Sequence, residues 1–329
     1  MSPLVEELVK FSSLRHPDDP RSSVAINIPK EIEAIAGGNG HTGKQETEDE
    51  GTAMNSREQS AADGWHRTTP DLVVLLGSPQ FAPALDAALR QIAPFDLSCI
   101  FAYPLEDRPT LLHDGLKAVS SSQIMANYLA GTYLLDAVYT ACVHATPSGL
   151  YRLHDLAPDD FFEGEYFNSP DVHPCISMES GSLTEEIVFL HALRPDLYLA
   201  YSLLRQNGSF PFAAKEMADF AQAAPMVLAL MGRQWQGLAE GRESQASPAP
   251  REHAIEQAFL SFSPTLLTPR EQTIVSLVLR GHSSLSIGSL LDITEGTVKI
   301  HRKNIYAKLG ISSQTELFNQ FIRHLLAEK

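Results

Sequence analysis

Basic residues are scarce in this chain, and so are tryptophan, cysteine and long apolar runs. There are 25 Lys and Arg against 40 Asp and Glu, a formal net charge of −15 over 329 residues. A uniformly acidic field repels phosphate and anionic lipid alike, which excludes a protein that coats nucleic acid or membrane with its whole surface. Any polyanion contact has to be local. The three cysteines, Cys99, Cys142 and Cys175, stand far apart with no CxxC pair or histidine spacing for zinc; they read as reduced, buried thiols, and no metal or cofactor is expected. No window approaches the ~18 apolar residues of a membrane span. The N-terminus has no basic start followed by an apolar segment. A cytoplasmic protein without membrane contact is therefore expected.

What is present divides into four parts. Residues 1–69 include GGNGHTGKQETEDEGTAMNSREQSAADG, too poor in apolar residues to offset the entropy of ordering, so a disordered tail is expected, with Met54 as an alternative start. Residues 70–236 alternate apolar segments with turn signals. LSCIFAY (97–103) is a strand, and ANYLAGTYLLDAVYTACVH (126–144) a helical block. EEIVFLHAL and DLYLAYSLL form a hairpin joined at Arg194-Pro195, and 211–235 is a long helix that Pro225 kinks or breaks. Helices on an antiparallel sheet make this half an α+β domain. Residues 237–263 have linker composition with a short helix. Residues 264–329 form an all-α domain of four helices.

The boundaries of those four helices are well marked. Thr268 with Glu271 forms a capping box, Gly281 ends the first helix, Ser283 or Ser284 caps the second, and Thr294 caps a third that ends at Gly310. The second and third lie a short turn apart, the arrangement of a helix-turn-helix. From Thr268 to the C-terminus there are eight Lys or Arg against five acids, a local excess of +3 in an acidic chain. On the third helix Val298, His301, Ile305 and Leu309 share the packed side, while Lys299, Ile300 and Lys303 cluster on the far side. That pairing suits a major groove, where lysine donates to guanine and an aliphatic group touches a thymine methyl. Arg302, Asn304 and Lys308 on the flanks, together with Thr297 and Ser283, are placed for phosphate. In the last helix Leu317, Phe321 and Leu325 form one apolar stripe and Phe318, Ile322 and Leu326 another, one for the core and one for a partner helix.

LTPREQTIVSLVLRGHSS followed by DITEGTVKIHRKNIYAKLGISSQTEL closely resembles the DNA-binding domain of LuxR-type bacterial transcription factors. The resemblance implies a four-helix fold, dimeric binding to an imperfect palindrome of double-stranded DNA and recruitment of RNA polymerase. Base contacts would come from Lys299, Ile300 and Lys303. The second helix departs from the family pattern at Leu285, Ser286, Gly288 and Leu290, which leaves open a helix-turn-helix with weakened DNA binding.

The acidic half has neither the carboxylates of a phosphorelay receiver nor a GxxxxGK[ST] loop. YLAGTYLLDAVYTACVH and GLYRLHDLAPDDFFEGEYF resemble the GAF-like sensor half of a proteobacterial group of LuxR-type regulators, with Ala137 where that group has proline. Tyr128, Tyr133, Asp136, Tyr139, Tyr151, Arg152 and His154 are an aromatic and polar set suited to line a pocket for a small-molecule effector; core packing is the alternative. Asp159, Asp160, Glu163 and Glu165 supply carboxylates, but no nucleophile or metal cluster joins them, so an enzyme is not expected. The reading is a one-component homodimeric regulator. A regulator governed by protein contacts alone is the alternative.

Overall fold

The computed structural model describes residues 64–65, 67–116, 122–169, 173–174, 183–240, 259 and 261–327. The expected tail up to residue 63, the centre of the linker and Cys175 lie outside the described residues.

Five antiparallel strands form one sheet in the order β2-β1-β5-β4-β3: β1 Leu97–Pro104, β2 Thr110–Asp114, β3 Gly149–Arg152, β4 Leu183–Arg194 and β5 Leu197–Gln206. The central strands β1 and β5 are buried on both faces, and accordingly their sequences are near-continuous apolar runs, not alternating ones. The β4–β5 hairpin turns at Pro195 and Asp196. There the Arg194 guanidinium holds both Asp196 carboxylate oxygens at 3.1 Å.

Each face has its own helical layer. On one side Ile100, Phe189, Tyr201 and Leu203 pack against α1 (Phe81–Leu89) and, through Phe220, Val227 and Met231, the long helix Ala214–Gln234. On the other, Cys99, Phe101, Tyr103, Val188 and Ala200 meet α2 (Ser122–Ala130) and α3 (Ala137–Val143) in a core that continues into the C-terminal domain. After the short α4 (Leu153–Leu156), the long helix is α5 and Gln236–Glu240 is α6. The C-terminal domain consists of α7 Pro269–Leu279, α8 Ser284–Leu290, α9 Glu295–Leu309 and α10 Gln314–Ala327. The fold class is thus the expected one, an α+β half with an antiparallel sheet followed by an all-α helix-turn-helix half.

Two local expectations are corrected. The block 126–144 is not one helix: Gly131 follows α2, a 3-10 turn spans Thr132–Leu135, and Asp136 adopts an extended backbone and accepts the Val138 N–H at 2.8 Å to start α3. A side-chain acceptor outcompetes helix continuation there. Conversely α5 runs through Pro225 without a break, because Phe220, Ala223, Ala224, Val227, Leu230 and Met231 bury one face against the sheet and outweigh proline's cost of about 3 kcal/mol. Among the described residues no helix is long and apolar enough to cross a membrane.

Candidate nucleic-acid interface

Local chemistry sets the α8–α9 unit. Ser283 Oγ accepts the Ser286 N–H at 3.1 Å to start α8, and Thr294 Oγ1 does the same for Thr297 to start α9. Ile287, Val298 and Ile305 are buried between the helices. The turn between them is tight: a Cβ on Gly288 would lie 2.9 Å from the Ile293 carbonyl oxygen. Leu285, another departure from the family pattern, is 64% exposed.

On the outer side of α9, Lys299, Ile300, Lys303 and Asn304 are all exposed, Ile300 at 62%. His301 and Leu309 are half-buried. Lys299 pairs with Glu295 at 2.6 Å, but both are exposed, so the pair contributes little and can be exchanged for a ligand. Beside this face runs an open groove of about 560 Å³ bordered by Ser284, Lys299, Arg302, Lys303 and Tyr306.

Four residues expected on phosphate have partners within the protein. Arg302 donates to Ser284 Oγ at 3.1 Å, to Gln314 Oε1 at 2.7 Å and to the Tyr306 hydroxyl at 3.3 Å, tying α8, α9 and α10 together. Lys308 Nζ lies 2.6 and 2.8 Å from the Glu271 carboxylate. Burial works to raise the Glu271 pKa, but Lys308 and the Thr268 amide and hydroxyl more than offset it and hold the carboxyl below its ordinary range. Ser283 donates through N–H and Oγ–H to Asp159, at 3.0 and 2.5 Å. Thr297 Oγ1 lies 2.8 Å from Thr294 Oγ1 within the cap. Nothing in the sequence marks Glu271 or Asp159 as partners of residues 37 and 124 positions away.

The α10 stripes pack unequally. Leu317, Phe318, Phe321 and Leu325 are all buried within the protomer, Ile322 half-buried. Phe321 stacks on Phe259 at 4.7 Å and meets Phe262 edge-on at 5.3 Å, so residues at the end of the linker cover the stripe that contains Phe321.

In the sensor half Tyr128, Tyr133, Asp136 and Tyr139 do come together, but packed ring against ring. Tyr133 meets Tyr139 at 4.8 Å and Tyr128 at 6.4 Å, and Tyr103, absent from the expected set, joins through Tyr139 at 5.7 Å. The hydroxyls of Tyr103 and Tyr128 are 2.6 Å apart, and Tyr128 donates to Asp136 at 2.7 Å. Tyr151 is elsewhere, on edge strand β3, donating to the Pro147 carbonyl. Arg152 pairs with Glu185, and His154 stacks on Phe162.

Sequence reasoning missed Glu186, 8% exposed on β4. Burial, then the charge of Asp136, pushes its carboxyl up to about 8 against the opposing Ser202 hydroxyl. Burial likewise raises Asp136 despite hydrogen bonds from Tyr128, the Val138 amide and Tyr166. The two carboxyls thus lie within electrostatic reach of each other, a proximity that no periodicity announces.

The family model for bacterial regulatory proteins of the luxR family matches residues 265–320, the segment containing α7, α8 and α9. A putative HTH-type transcriptional regulator in the exeN 3' region of Aeromonas salmonicida is 34% identical over 145 residues, which cover 43% of this chain and 74% of that protein. The transcriptional regulatory protein MctR of Rhizobium johnstonii is 40% identical over 63 residues, 19% of this chain and 29% of MctR. Among solved structures, the VqsR LBD domain of Pseudomonas aeruginosa aligns with a TM-score of 0.44 and 25% identity, over 52% of this chain and 96% of that domain. With a helix-turn-helix of this geometry at its C-terminus and relatives named as transcriptional regulators, not enzymes, the chain belongs to the luxR family of bacterial regulatory proteins.

Proposed function

We propose that the protein is a sequence-specific regulator that reads double-stranded DNA with α9, Lys299 and Lys303 donating to guanine edges or phosphate and Ile300 contacting a thymine methyl. One observation carries this: Ile300 is exposed between two exposed lysines on one side of a helix whose other side is packed. An aliphatic side chain held out between cations suits a base step better than it suits water. The module binds as a homodimer on an imperfect palindrome. With Arg302 and Lys308 engaged internally, one copy has few cations left for the backbone, and affinity rests on pairing two modules about one helical turn apart.

Selection of bound duplexes from a random pool supplies a specific site for titration. Lys299→Ala and Lys303→Ala are each expected to weaken that site by about 1–3 kcal/mol, roughly 5- to 150-fold, with little change on random duplex. Equal losses on both kinds of DNA would sink the assignment. Sedimentation of the full chain on the selected site checks the dimer.

For control, the half-buried Asp136 held by Tyr128 beside the tyrosine cluster, with the buried Glu186 within electrostatic reach of it, supports a small-molecule effector that binds one arrangement of the sensor half more tightly than another. The ring-to-ring packing of the same set favours a second reading, control through protein contacts alone. Thermal shift across a metabolite panel separates the two: a stabilising ligand whose effect is lost in Asp136→Asn supports the first.

A further inference from the structure

The loop after α4 carries four carboxylates in seven residues, DDFFEGE, and it is clasped to the DNA-binding domain. The Asp159 carboxylate accepts both the amide and the hydroxyl of Ser283 at the start of α8. The Asp160 N–H donates to the Gly281 carbonyl at 2.9 Å. Glu165 accepts the Thr315 hydroxyl at 2.6 Å at the start of α10. Between these polar points Phe161 presses on Gly281, where a Cβ would lie 2.5 Å from the Phe161 Cα. Only a glycine backbone admits so close an approach, and the φ of +90° there also favours glycine.

Where the loop sits matters more than that it is acidic. Ser284, next to the Ser283 that Asp159 holds, borders the same groove as Lys299, Arg302 and Lys303, and it takes a hydrogen bond from Arg302. Arg302 in turn lies within electrostatic reach of Asp160. Asp159 and Asp160 therefore stand at the α8 end of the basic groove, where Asp159 engages a backbone amide and a hydroxyl of the kind that DNA phosphates accept from. The base-reading side of α9 stays exposed.

We propose that the loop 159–165 acts as an intramolecular competitor for the DNA backbone: the arrangement described here is a closed state in which Asp159 occupies a phosphate position on α8, and tight binding requires the clasp to open. The inference rests on the DNA-binding reading above. It places regulation at the seam between sensor and helix-turn-helix, so any event that moves the loop, ligand or partner, changes the fraction of chains able to bind. That fraction divides directly into the apparent affinity. Because only the backbone-contacting flank is covered, the closed state is weakened, not abolished, as a DNA binder.

The test uses the full chain and a labelled random-sequence 30-bp duplex at low salt, where sequence-independent binding is measurable. Asp159→Ala is expected to tighten binding about tenfold, the order expected for loss of the two exposed hydrogen bonds to Ser283 from the closed state. Glu163→Ala, on an exposed residue of the same loop, changes the net charge identically and is expected to change binding less than about twofold. Thr315→Val changes no charge but removes the donor to Glu165, and is expected to tighten binding several-fold. Equal effects of Asp159→Ala and Glu163→Ala, or no effect of Thr315→Val, would overturn the clasp while leaving DNA binding in place. Failure of the wild type and every variant to bind any duplex would overturn the DNA-binding reading and the inference with it.

Discussion

Replacing Lys308 by methionine separates two roles for a cation on the DNA-reading helix. The substitution keeps the apolar stem and removes the charge that Glu271 faces. Glu271 is 5% exposed, and the lysine side chain is 39% exposed. Stranding one partner of a fully buried pair costs about 3–5 kcal/mol, and breaking an exposed pair about 0–1 kcal/mol. The carboxylate keeps the Thr268 amide at 2.8 Å and hydroxyl at 2.9 Å, and solvent reaches the lysine, so Lys308→Met is expected to cost about 1–2 kcal/mol. Urea unfolding at neutral pH reads this as a lower midpoint with an unchanged slope. A pH series adds a sign. Because Glu271 is held below its ordinary value of 4.5 in the folded protein, its contribution is present above that value and is lost as the pH falls through the folded pKa. Wild type and variant should therefore converge in acid. Unchanged unfolding, together with a DNA-binding salt slope lowered by about one, would make Lys308 a phosphate ligand and refute the assignment.

Two further outcomes follow from buried groups. Glu186 is raised to about 8, so the folded protein holds a proton that the unfolded chain releases above about 4.5, and wild-type stability should decline as pH rises from about 4.5 to 8; Glu186→Gln should flatten that decline, and identical urea midpoints for both proteins at pH 5 and pH 8 would count against it. Phe321→Ala, which removes a fully buried ring stacked on Phe259, is expected to cost about 3–5 kcal/mol in a concentration-independent unfolding transition, with half-buried Ile322→Ala costing less; loss of dimer without loss of protomer stability would return the stripe to a partner helix.

The C-terminal domain was legible because its determinants are local. Thr268, Ser283 and Thr294 each satisfy amides within three residues, and Gly310 supplies the left-handed ending at φ +68°. The outward side of α9 follows from helical periodicity alone, since Val298 and Ile305 must turn inward. The β4–β5 hairpin was legible for the same reason: two apolar runs flank a two-residue turn. By contrast β2 and β3 are edge strands of four or five residues, half-exposed, with neither an apolar run nor clean alternation to announce them.

Partnership was settled only by tertiary structure. Sequence alone determined that a small basic helix-turn-helix follows an acidic α+β half, and which side of α9 is presented, because caps, glycines and periodicity act within a few residues. It did not determine that Arg302, Lys308 and Ser283 have partners within the protein, that Phe259 and Phe262 pack on Phe321 of α10, or that Asp136 lies within electrostatic reach of Glu186. A charge or ring takes its partner from whatever the fold brings near, and a carboxylate 124 residues away leaves no mark on the sequence around Ser283. The same reason puts the acidic loop at the edge of the basic groove, where only the packing of two domains decides that it stands in for a phosphate.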